Sequence, residues 1–174
     1  MFDKEYTFRG RHAEFVKDLT GRFGPDSKFQ ILSRNLDVYL LAPIIGFLYN
    51  RQADIDTSIN SEGKNENTKI FLEQMLKIKD EMIYNYRLIM LRDKKYESDF
   101  EKRIEKAFKN LGTPEGEKDY EHFNRYVLGG VEILYEKIML SARNSEDYIL
   151  NLVNFMKEFD EKNNVDIDIL EILE

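Results

Sequence analysis

Apolar residues recur at spacings of three and four through most of this chain, the pattern of helices that bury one face. Over residues 10 to 23 the pattern is carried by Ala13, Phe15, Val16 and Leu19 and predicts a first helix. The breaker-rich stretch GRFGPDS, residues 21 to 27, reads as a loop. A second helix is expected over residues 35 to 49, capped by Ser33 or Asn35. Leu36, Leu40, Ile44 and Phe47 form its stripe, widened by Tyr39 and Leu41, and the whole run from Val38 to Tyr49 is uncharged. A helix apolar nearly all round belongs at the centre of a fold. Pro43 removes one N–H and crowds the Tyr39 carbonyl, which predicts a kink or break. Gly46 permits close approach of another element.

Residues 53 to 67 read as the main polar loop. A long helix is expected over residues 67 to 92, with Phe71, Met75, Ile78, Met82, Tyr86 and Ile89 as a bundle seam. The same seam would serve a homodimer if it met a second copy. Ser98-Asp99-Phe100-Glu101 has capping-box form and opens a helix that Gly112 stops. Thr113-Pro114 offers a fresh cap, and a helix is expected from there, or from Glu117, to about residue 142. Its paired Gly129 and Gly130 cost roughly 1 kcal/mol each relative to alanine, which predicts a closely crossing helix. The last helix starts at Asn144 or Ser145, with Ile149, Leu152, Val153, Met156 and Phe159 inside. In the tail, residues 163 to 174, Val165, Ile167 and Ile169 alternate as in a strand, whereas Ile169, Ile172 and Leu173 suit a helical turn. Residues 5 to 9 also alternate, so the termini could pair as a short ribbon. The expected fold is an all-α, single-domain bundle of five or six helices around a kinked apolar helix.

Composition supports that reading. A chain of 174 residues can bury a sizeable core, and 42 % hydrophobic residues are too many for disorder despite 34 % charged ones. Nine Gly and three Pro are too few for a many-turned β fold. The absence of Cys excludes disulfides and thiolate chemistry. The first residues lack a basic stretch followed by an apolar one, and the opening apolar run is shorter than a membrane span of roughly 20 residues. A cytoplasmic protein is expected. Residues 1 to 51 carry a net charge of +2 and the remainder −9, which makes the total of −7. A general electrostatic grip on nucleic acid needs more than that.

Sequence chemistry is sparse. Asp119-x-x-His122 occurs once, whereas a di-iron bundle needs two such motifs. The loop Asp54-x-Asp56-x-Ser58-x-Asn60 has Ile59 where a calcium loop needs Gly and Asn65 where it needs Glu. Phosphate loops, nucleophile elbows and dinucleotide turns are absent. No cofactor, metal or catalytic residue is indicated. The cluster above background is Arg9, Arg11 and His12 at a helix start, with Arg34, Asn35, Asp37 and Arg51 as further contacts for an anion, nucleic acid or partner.

The phrase FQILSRNLDVYLLAPIIGFLYNRQ, residues 29 to 52, resembles segments of small bacterial accessory proteins of DNA-modification and anti-phage defence systems, in particular the Dnd phosphorothioation kind. The likeness lies in an aromatic-initiated run leading to Asp37, Ala42, Gly46 and Phe47. It implies an accessory role near DNA. The expected function is a non-catalytic interaction subunit, with Val165, Ile167, Ile169, Ile172 and Leu173 as a docking tail. Two alternatives stay open. One is a nucleic-acid binder using Arg9, Arg11, Lys17, Arg22, Lys28 and Arg34, and the other is an enzyme with a site near His12 or His122.

Overall fold

A computed structural model describes residues 1–24, 28–57 and 66–163. The chain begins with β1 (Tyr6–Arg9), and Gly10 at φ 54° turns it into α1 (Arg11–Leu19). The helix ends earlier than its periodicity suggests, because the Thr20 hydroxyl donates to the Val16 carbonyl and caps it. Beyond it, Phe23 and Phe29 form an isolated antiparallel bridge.

α2 (Asn35–Leu48) runs through Pro43 without ending. Its deepest face is Val38, Tyr39, Ala42 and Ile45, while Leu40, Ile44 and Phe47 of the expected stripe are half-buried. A left-handed cap closes α2. Asn50 takes φ 51°, and the amides of Asn50 and Arg51 donate to the carbonyls of Phe47 and Gly46.

The expected helix over residues 67 to 92 becomes three elements. They are β2 (Asn67–Ile70), α3 (Leu72–Lys77) and α4 (Lys79–Arg92). β2 pairs antiparallel with β1, Tyr6 opposite Ile70 and Arg9 opposite Asn67. The N-terminal alternation is therefore a real strand whose partner is β2, and residues 164–174 lie outside the described residues. Ile78, at φ −116°, separates α3 from α4. Met75, Met82, Tyr86 and Ile89 of the seam are fully buried in this chain's own core, and Phe71 is exposed.

Asp99, rather than Ser98, caps α5 (Phe100–Ile104) by accepting from the Lys102 amide. A π-turn over Glu105–Lys109 and a 3₁₀ turn over Pro114–Gly116 lead to α6 (Glu117–Ile138). The glycine pair does what its cost required. A Cβ on Gly130 would overlap the Ala42 carbonyl, one on Gly46 the Tyr126 carbonyl, and one on Gly129 the Arg51 carbonyl. Backbones of α2 and α6 thus touch where side chains are missing.

The fold is a mostly helical single domain with one small two-stranded antiparallel sheet. Among the described residues it has seven α-helices against the five or six expected, because the predicted long helix is split at Ile78. The described residues fall into two compact units that divide after Tyr135. In the second, Asn144 caps α7 (Ser145–Asn163) by accepting from the Glu146 and Asp147 amides. Phe155 is its buried aromatic, while Ile149, Val153 and Met156 of the expected inner face are exposed. Glu158 accepts from Lys137 and Lys162, and those two hydrogen bonds hold its carboxyl down to about 2. No helix among the described residues is long and apolar enough to cross a membrane.

Candidate functional site

Three polar or open features stand out, all within residues 1–135. The first is built around Glu132 on α6. Arg11 donates to its Oε1 at 2.6 Å, and Arg51 to its Oε2 at 3.4 Å. His12 Nε2 lies 3.2 Å from Oε1. A carboxylate facing two guanidinium groups can only accept, so Nε2 of the imidazole carries the hydrogen. Burial pushes the His12 proton affinity down, and Arg11 adds to this against the opposing pull of Glu132. The ring is therefore neutral near pH 7, and among the described residues its buried Nδ1 has no hydrogen-bond partner. His12 forms part of the lining of a cleft of about 510 Å³ shared with Tyr6, Arg9, Tyr120 and Leu128.

Asp93, at the C-terminal end of α4, organises the second feature. It accepts from His122 Nε2 and the Tyr126 hydroxyl, each at 2.8 Å, and from the amides of Lys95 and Tyr96. Burial alone would raise its proton affinity, but those hydrogen bonds outweigh it and hold the carboxyl below the usual range. Burial and Asp93 together push the Tyr126 hydroxyl up to about 12. His122 also stacks on Tyr96 with ring centroids 3.7 Å apart. Tyr96 and Lys106 both donate to Asp119 Oδ1 at 2.8 Å. Each histidine is thus held by a carboxylate through Nε2, an arrangement that orients a ring and fixes its tautomer.

The third feature is a groove of about 610 Å³ between α2 and α4. Leu40, Leu41, Ile44 and Tyr84 form its floor and walls, and Asp37, Asp80 and Glu81 its rim. Asn85 ties the helices together by donating to the Leu40 carbonyl at 2.9 Å. Leu41, Leu48, Tyr84 and Leu88 are large apolar or aromatic side chains left exposed on these two helices.

The residues singled out from sequence fall into separate places. Arg11, His12 and Arg51 converge on Glu132. Arg34 pairs with Asp37 at 2.6 Å at the start of α2, and Asn35 reaches the Lys69 carbonyl at 3.4 Å. Arg9 lies exposed at the mouth of the His12 cleft. Lys17 pairs with Glu66. Asp54 pairs with Arg125 at 3.0 Å, and Asp56 accepts from the Arg11 amide. The remainder of the calcium-like loop from Ser58 on, and all five tail residues, lie outside the described residues. Among the described residues no three His, Asp or Glu side chains group to hold a metal ion.

Sequence reasoning passed over Glu132 and Asp93. A signal for Glu132 existed, since it is the one charged residue in the run from Val127 to Tyr135. Asp93 sits beside Arg92, Lys94 and Lys95 and has the local look of a solvated helix end. Compared with protein families, curated proteins and solved structures, the chain matches none.

Proposed function

We propose that this protein is a non-catalytic interaction subunit that receives a basic amphipathic helix of a partner protein in the α2–α4 groove. The observation that carries the reading is the groove's combination of an apolar floor with an acidic rim. Asp80 and Glu81 have no ion-pair partner among the described residues, so their charge is available to a ligand. A helix with leucine-like anchors on one face and Lys or Arg beside them satisfies both parts. On α2 the groove's lining runs from Asp37 to Ile44, about 10 Å at 1.5 Å per residue, room for roughly two turns of a docked helix.

Two further points support it. The basic residues that could have gripped phosphate are largely paired within the chain, Arg11 and Arg51 with Glu132 and Arg34 with Asp37. The groove residues Asp37, Leu40, Leu41 and Ile44 belong to the segment that resembles bacterial DNA-modification and defence accessory proteins, which supports an assembly of that kind.

The test places a photo-crosslinking amino acid at Tyr84 and sequences what it captures in cells that make the protein. A basic, amphipathic peptide of another protein is expected, with capture lost in an Asp80→Lys, Glu81→Lys double variant. Capture of an acidic segment, of a second copy of this chain, or of anything indifferent to the charge reversal would overturn the proposal.

A further inference from the structure

The His12 cleft is independent of the α2–α4 groove and poses its own question. A buried imidazole nitrogen without a partner forfeits a hydrogen bond, at a cost of about 1–3 kcal/mol. The tether from Nε2 to Glu132 prevents the ring from relieving this by exchanging its nitrogens. What remains on Nδ1 is a lone pair, which can accept and cannot donate. The cleft that His12 helps to line has a volume in the range of small-molecule sites, roughly 300–1,000 Å³. Tyr6, Tyr120, Leu128 and Ile55 supply aromatic and apolar wall.

Charge selects the ligand further. The cleft holds Arg9 and Arg125 against Asp54, Asp56 and Glu121, and Arg125 is already paired with Asp54. Glu121 is exposed and has no ion-pair partner among the described residues. The lining is therefore negative on balance, and two tyrosine rings also favour a cation.

We infer that this cleft binds a small amine with an aromatic or apolar body, its N–H donating to His12 Nδ1 and its charge facing Glu121. The amine closes the hydrogen bond left open at Nδ1, while the body lies against Tyr6, Tyr120 and Leu128.

The test uses the full chain labelled with ¹⁵N-histidine and follows the ring nitrogens by NMR during titration with tyramine. The control is 3-(4-hydroxyphenyl)propionate, which has the same body and the opposite charge. Tyramine is expected to shift the Nδ1 signal that disappears in His12→Gln, saturably, while the propionate leaves it in place. Glu121→Gln should weaken tyramine roughly tenfold, about 1.4 kcal/mol. Leu128→Phe should fill the cleft and abolish the shift. Should Leu128→Phe fail to fold, the exposed Glu121→Gln variant decides. No saturable shift at millimolar tyramine, an equal response to the propionate, or unchanged affinity in Glu121→Gln would each overturn the inference.

Discussion

Glu132 is the residue on which the N-terminal chemistry turns. A carboxylate with little exposure is tolerable only when paired, and it gathers Arg11, His12 and Arg51 from two distant stretches of chain. Its removal leaves the buried imidazole N–H of His12 without its acceptor and takes one acceptor from each of two guanidinium groups. Glu132→Ala is therefore expected to lower stability by about 3 kcal/mol in urea denaturation. A loss below about 0.5 kcal/mol, the range of ordinary surface changes, would show that the three donors find other acceptors. The pairing was half legible. Arg11 and His12 stood out as a cluster, and Arg51 as a flank of the apolar run. Nothing local to them says that their common partner lies some eighty to one hundred and twenty positions further on.

At the scale of elements, the α2–α6 crossing is the organising contact. Gly46 on one helix and Gly130 on the other let backbones meet where any side chain would overlap a carbonyl. The carbonyl belongs to a packed helix and cannot swing aside, so the cost of a methyl group falls on the whole crossing. Gly130→Ala is expected to destabilise the protein by about 3 kcal/mol in thermal or chemical denaturation, despite the better helix propensity of alanine. A stabilised variant would place the crossing elsewhere. Here the sequence announced its own exception, because two adjacent glycines inside a periodic helix have no local justification. The helix over residues 67 to 92 failed for the opposite reason. Its periodicity is genuine from Leu72 on, but residues 67 to 70 are drawn into a strand by β1, some sixty positions earlier. A short segment takes whichever structure its partner offers, since tertiary pairing outweighs weak local propensity.

The whole molecule responds to acid through its buried histidine. Burial lowers the proton affinity of His12 below its ordinary value of 6.5, so between the folded and unfolded values the unfolded chain binds more protons. Stability then rises with pH across that window and falls on acidification below about 6.5. One group contributes a slope of at most about 1.4 kcal/mol per pH unit. Asp93, held below its ordinary 3.8, adds a second loss as the pH falls from there towards its folded value. Urea midpoints measured at pH 7.5, 6.5 and 5.5 should fall, and fall less in His12→Gln. Equal pH dependence in the two proteins would remove His12 as the cause.

Periodicity, composition and the placing of Gly and Pro determined a good deal without any structure. They specified a helical chain, an apolar second helix, most helix starts within a few residues, and a close crossing at Gly129 and Gly130, whereas the helix at the centre is α6, since α2 leaves Leu41 and Leu48 exposed. These properties are local, because a helix closes its hydrogen bonds within four residues and shows its buried face in its own spacing. Only the tertiary structure decided that residues 6 to 9 pair with 67 to 70, and that the seam at Met82 and Tyr86 is internal. It likewise decided that one glutamate holds Arg11, His12 and Arg51, and that an acidic-rimmed groove opens beside α2. Each depends on residues far apart in the chain meeting in space. Burial, pairing and cavities arise from such meetings, and the order of residues alone does not record them.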